Sequence, residues 1–140
     1  MIRKFKNEDL EIIMELWLNT NIHAHDFIAE DYWRNNFELV KGMLPCAELY
    51  VCEIENEIKA FVGIDNGYIA GIFVSGEMQS KGLGKQLLEK AKELYASLSL
   101  NVYKKNVKAV HFYQRENFVI EKEQVDENTG ELEYFMVWSK

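Results

Sequence analysis

The chain has 140 residues, 48% of them apolar and 28% charged, with a formal net charge of −7. That apolar share supports one domain with a sizeable core, expected over residues 1–140, and excludes a disordered chain. The acidic balance argues against a broad nucleic-acid surface, and no apolar run reaches the roughly 20 residues of a membrane span.

In chain order, residues 2–6 read as a short strand. Asn7 is placed to cap a helix, with Glu8 and Asp9 suited to its positive end. Leu10, Ile13, Met14, Trp17 and Leu18 then recur at helical spacing. A second helix is expected from Ala29 to Lys41, ending near Gly42. "ELYVCEI" alternates as a strand, and "ENE" turns it into "IKAFVGID". Asn66-Gly67 is the strongest hairpin signal in the chain and leads into a third antiparallel strand, "YIAGIFV". Leu83, Leu87, Leu88, Ala91, Leu94 and Tyr95 mark one face of a helix. "LSLNVY" has the apolar content of a buried strand, and Asn106 caps the helix after it. "FVIEKEQV", the turn "DENTG" and "ELEYFMVW" close the chain as a hairpin. The order βααβββαβαββ describes an α/β domain with a mixed sheet. The start, "MIRKFKNEDLEII", lacks the apolar segment of a secretory signal, so a cytoplasmic protein is expected. Cys46 and Cys52 lack metal-ligand spacing and a histidine cluster; they are expected as reduced thiols, with no metal.

The stretch "GEMQSKGLGKQLL", Gly76 to Leu88, joins a strand to a helix through two glycines. N–H groups at a helix start have no intrahelical partner, and the helix dipole adds positive potential, so an anion suits this place. Glycines let phosphate oxygens approach the backbone. Two known phosphate motifs fail here. A P-loop needs Ser or Thr where Gln86 follows Gly84-Lys85, and a Gly where Gln79 stands. The dinucleotide fingerprint needs a third Gly where Leu87 stands. By spacing alone, glycines required for helix packing explain the stretch as well as an anion site does.

Gln79-Ser80-Lys81-Gly82-Leu83-Gly84 resembles the Gln/Arg-x-x-Gly-x-Gly/Ala signature of the GNAT acetyltransferases. "NVKAVHFYQRENF", Asn106 to Phe118, is similar to a second motif of that family. Asn106, Ala109, Phe112, Tyr113 and Phe118 match it, while Asn117 replaces the usual glycine. Asparagine tolerates the left-handed turn needed there, so the departure is conservative. Gly76 stands where many relatives carry proline.

The resemblance implies a GNAT-like, largely antiparallel sheet flanked by helices. It also implies acetyl-coenzyme A as co-substrate and an amine as acceptor, a protein lysine, an N-terminus or a small amine. Direct attack in a ternary complex is expected, on a monomer or homodimer. Gln79, Lys81, Gly82, Leu83, Gly84 and Lys85 would hold the diphosphate, with Asn106 and Tyr113 beside the coenzyme. The backbone groups of Ile72 and Val74 would bind the pantetheine arm, and the Ile72 or Phe73 N–H would polarise the acetyl carbonyl. Tyr113 would act as general acid toward the leaving sulfur. Lys81 and Lys85 equally suit a solvated surface.

Holding a lysine-like amine neutral at pH 7 costs roughly 4.6 kcal/mol, so a base or a water relay must take its proton. Residues 68–74 contain no acid, which leaves Glu53 and Asp65 on adjacent strands, or His23 and His25 in "NIHAHDFI". All four also suit plain surface positions. His111 is set aside, since its helical neighbour Phe112 points roughly 100° away. Trp17, Phe27, Tyr32 and Trp33 are expected mainly in the core, with one or two lining an amine pocket. "HDFIAEDYW" resembles a subset of small bacterial GNAT proteins. A second reading keeps the coenzyme motifs without catalysis, as an acyl-coenzyme A-binding sensor module. In a third, the glycine loop is only structural and the chain a small interaction domain.

Overall fold

The computed structural model describes residues 1–140. It runs β1 (Ile2–Lys4), a 3₁₀ turn (Asn7–Asp9), α1 (Leu10–Ala24), α2 (Glu30–Asn35) and α3 (Phe37–Met43). β2 (Glu48–Ile54), β3 (Glu57–Asp65) and β4 (Tyr68–Val74) follow as a meander. Then come α4 (Leu83–Leu94), β5 (Ser97–Tyr103), α5 (Val107–Arg115), β6 (Val119–Val125) and β7 (Leu132–Ser139). The strands form one mixed sheet in the order β1-β2-β3-β4-β5-β7-β6. Every neighbouring pair is antiparallel except β4 with β5. No helix is long and apolar enough to cross a membrane.

Strand alternation splits the apolar residues between two cores. Ala60, Val62 and Ile69 pack with Leu83, Leu87, Leu88, Val110 and Tyr113, so α4 and α5 cover one face. Leu49, Val51 and Phe61 pack with Ile13, Met14, Trp17 and Trp33 on the other.

Two local expectations are corrected. The helix expected over 29–41 is two helices meeting at Asn36, whose Nδ2 donates to the Tyr32 carbonyl at 2.7 Å. Such side-chain bonding to the backbone competes with helical geometry. The break lets Trp33 and Phe37 both reach Trp17, with ring centroids 5.9 and 6.5 Å away. Nor does Asn7 cap α1. A 3₁₀ turn precedes that helix, and Asp9 accepts the Lys6 N–H at 2.8 Å while pairing with Arg3.

The feature that positions the site is the seam between β4 and β5. Only Tyr68 with Ser99 and Ile69 with Leu100 are in register across it. Beyond Ile69, β4 has a partner on the β3 side only. The Ser75 N–H donates to Lys59 at 2.8 Å, which fixes the phase of the β3–β4 ladder. By the antiparallel alternation, Phe73 exchanges bonds with Phe61, while the peptide groups of Ile72 and Val74 face away from β3 into the gap. A register shift at Gly63/Ile64 lets Ala70 bulge out of the ladder just where the strands part.

Gly71 follows that bulge. A Cβ there would stand 2.6 Å from Phe73 Cε2, and Phe73 is stacked on buried Phe61 at 4.7 Å between centroids. Gly71→Ala must therefore displace the Phe73 ring. Unfolding in denaturant should show a loss of about 1–3 kcal/mol, the usual cost of overpacking. Unchanged stability would show that the ring moves freely, against this account.

Candidate active site

The segment from Gln79 to Lys85 leaves the end of β4 and opens α4. Gln79 Nε2 donates to the Val74 carbonyl at 3.2 Å, tying the loop to the strand edge. Ser80 and Gly82 both have left-handed backbones, at φ 64° and 86°. The first helical bond is from the Gln86 N–H to the Gly82 carbonyl, and no side chain caps the helix. The N–H groups of Leu83, Gly84 and Lys85 therefore have no acceptor in the helix.

The two glycines have different surroundings. A Cβ on Gly82 would meet nothing within 4 Å, so its role is the left-handed turn and an open face beside the amides. A Cβ on Gly84 would lie 3.5 Å from Phe112 Cζ and 3.9 Å from Ile72 Cγ2. These are ordinary contact distances, so α4 packs beside α5 and β4 at Gly84 without requiring a glycine there. Leu83 is buried in the core, and its backbone alone is available to a ligand. Lys81 is exposed, and Lys85 is 57% exposed with Glu116 Oε2 at 4.0 Å. An uncapped helix start, an open glycine face and two lysines fit a diphosphate.

On the other side of the gap, Asn106 caps α5, its Oδ1 accepting the Ala109 N–H at 3.4 Å. Asn117 adopts the left-handed turn expected of it, at φ 73°, and Phe118 N–H then donates to the Tyr113 carbonyl at 2.9 Å. Phe112 and Phe118 hold the Tyr113 ring from two sides, with centroids 5.2 and 5.6 Å away. Tyr113 is buried, and its hydroxyl makes no hydrogen bond within the chain. Burial, with a smaller contribution from Tyr68, pushes the phenol well above its ordinary pKa. It keeps its proton at any physiological pH.

Of the acids and imidazoles considered as bases, His25 reaches a predicted site residue, its Nε2 lying 3.3 Å from Asn106 Nδ2. Glu53 is engaged by Arg3 at 3.4 Å, and Asp65 is exposed at the opposite end of β4 from Ile72 and Val74. His23 and His111 are exposed. His25 is largely buried, and that burial lowers its pKa to about 4. At that value the ring is neutral at pH 7. Trp17 and Trp33 are core residues, whereas Phe27 and Tyr32 remain partly exposed at the core's rim.

Sequence reasoning missed a polar row across the seam. Asn101 Nδ2 donates to the Tyr68 hydroxyl at 3.0 Å. Gln124 Nε2 reaches Asn101 Oδ1 at 3.3 Å and Glu133 Oε2 at 2.7 Å. Nearby, the Tyr103 hydroxyl donates to Asp126 at 2.6 Å. A signal existed: in "LSLNVY", Asn101 and Tyr103 alternate with the buried Leu100 and Val102. Burial raises the pKa of Tyr68, and the negative charges of Glu133 and Asp126 add to that.

The model of the Acetyltransferase (GNAT) family matches residues 7–118. The chain is 36% identical over 122 residues to the peptidyl-lysine N-acetyltransferase YiaC of Escherichia coli, covering 86% of this chain and 84% of that one. Its fold is similar to the solution structure of apo-form YjaB from Escherichia coli, with a TM-score of 0.87 and 25% identity over 99% and 96% of the two chains. It is also similar to the PaiA N-acetyltransferase of Thermoplasma acidophilum, crystallised with coenzyme A, with a TM-score of 0.82 and 17% identity over 100% and 98%.

The open face at Gly82 leads to a direct test. Gly82→Val places branched carbons where the amides would meet phosphate oxygens. Calorimetric titration should show coenzyme A binding weakened at least about tenfold in a folded variant, since one pair of misplaced phosphate contacts is worth that much. Gly84→Ala, whose Cβ has room against Phe112, should bind within about threefold of the parent. Equal affinity in a folded Gly82→Val variant would remove the diphosphate from this loop.

Proposed function

We propose that this chain, which belongs to the GNAT family and transfers an acetyl group from acetyl-coenzyme A to an amine, takes the ε-amine of a protein lysine as its acceptor. The observation that carries the site assignment is the gap between β4 and β5. It leaves the peptide groups of Ile72 and Val74 free beside the strand end from which the loop to the open start of α4 departs. The lysine acceptor is supported by YiaC, whose name gives peptidyl-lysine, and by Asp126 and Glu133 beside the phenols of Tyr68 and Tyr103. Negative charge there favours a cationic side chain.

Acetyl-coenzyme A supplies the activated acetyl group as a thioester. The N–H groups of Leu83, Gly84 and Lys85 bind its diphosphate, and Lys81 and Lys85 add charge. Gln79 holds the loop against Val74, and Asn106 sets the start of α5. The Ile72 peptide faces the gap and its N–H polarises the acetyl carbonyl; the Phe73 N–H is turned to β3 and takes no part. Tyr113 holds its proton at Oη and donates a hydrogen bond to the departing sulfur. Its raised pKa makes full proton transfer uphill, so the hydrogen bond itself is the contribution. The acceptor ammonium loses its proton to solvent on the Tyr68–Glu133 side, where no imidazole stands ready. The enzyme works in the cytoplasm, in keeping with two free cysteines, as a monomer or homodimer.

Release of free thiol from acetyl-coenzyme A tests the acceptor. A peptide with an internal lysine and a blocked N-terminus should turn over, and its lysine-free counterpart should not. Faster turnover of the free N-terminus or of polyamines would replace the lysine assignment. Tyr113→Phe tests the hydrogen bond to the departing sulfur. Turnover should fall about 10²-fold, while coenzyme affinity and thermal stability barely change. Parent-like turnover in that variant would reduce Tyr113 to a packing residue.

A further inference from the structure

His25 ends α1 and is wedged among aromatic rings. Its imidazole stacks on Trp33 at 5.2 Å and meets the faces or edges of Tyr103 and Phe27 at 5.1 and 5.7 Å. Its Nδ1 is buried without a partner, as is the Nε1 of Trp33. The side chain makes one hydrogen bond. Asn106 Nδ2 lies 3.3 Å from His25 Nε2, across 81 positions of sequence.

The orientation of that bond is determined by the cap. Asn106 Oδ1 faces the Ala109 N–H, so Nδ2, a donor only, must face His25. His25 Nε2 is therefore the acceptor, and its proton sits on Nδ1. A protonated imidazole would set donor against donor. Burial, which lowers the His25 pKa to about 4, keeps the acceptor form.

The geometry points to His25 as a positioning residue for acetyl transfer, joining the acceptor-side aromatic wall to the helix that carries Tyr113. It moves no proton. Asn106 and Tyr113 lie about two turns apart on one face of α5. A cap that tilts therefore shifts the phenol at the gap. On the other side, His25 touches the core ring of Trp33 and the partly exposed rings of Phe27 and Tyr103 at its rim. One neutral imidazole thus holds both walls in mutual register. This inference rests on the reading of Tyr113 given above.

Two substitutions separate the hydrogen bond from the packing. His25→Phe keeps a ring among the aromatics but offers no acceptor. His25→Gln loses the ring and keeps an acceptor, Oε1, for Asn106. With His25 in a positioning role, kcat falls about tenfold in the Phe variant, while coenzyme affinity changes less than about twofold. The Gln variant recovers most of that kcat. Packing alone gives the reverse order, with Phe parent-like and Gln impaired, and would overturn the proposal. In the parent protein, nitrogen NMR should find His25 as the Nδ1-protonated tautomer, a readout that needs no variant to fold. An Nε2-protonated ring would also overturn it. In a Tyr113→Phe background, the loss from His25→Phe should largely disappear. If Tyr113→Phe alone is silent, the assignment of Tyr113 to the departing sulfur falls, and the order of the two His25 variants still decides the role of His25.

Discussion

β4 and β5 are held side by side by two register pairs and then separate. A continued parallel ladder would satisfy every peptide group along the seam and leave nothing for a ligand. The bulge at Ala70 prevents it. One extra residue on β4 increases the local twist and re-aims the strand from Gly71 onward. α4 and α5 pack on one face of the sheet and the aromatic residues of α1 and α2 on the other. The gap thus lies in a sheet packed on both faces, and its free peptide groups sit on strands rather than on mobile loops.

The two sides of this gap differ in electrostatic sign. Toward α4 stand three N–H groups without acceptors and two lysines, which suit an anion. Toward β5 and β7 stand phenols, amides and two carboxylates, which suit an ammonium. Tyr113 and Tyr68 both have raised pKa values, burial being the main cause for each. Both phenols keep their protons at neutral pH.

Much of this was legible in the sequence where the information is local. The strand limits follow from period-two alternation, and 68–74 came out with the bounds the structure shows. The left-handed turn at Asn117 and the cap at Asn106 follow from the chemistry of one side chain and its neighbours. The glycine stretch reads as an uncapped helix start, and the structure has one there. What the sequence could not tell apart were the surroundings of Gly82 and Gly84, since Phe112 beside Gly84 arrives from a helix more than twenty positions later. The break at Asn36 was hidden because the apolar spacing runs through it unbroken.

Period and residue chemistry are properties of neighbours along the chain, so the sequence by itself determined most of the elements, the sheet class and the open helix start at Gly82. Only the tertiary structure decided which distant groups meet. It took Glu53 out of consideration by pairing it with Arg3, and it assembled the row from Tyr68 to Glu133 out of four strands. It also buried His25 and set it against Asn106, where desolvation makes a neutral acceptor of a residue that would titrate near neutrality in water. Hydrogen-bond partners and local dielectric depend on packing across the chain, and no spacing rule in the sequence carries them.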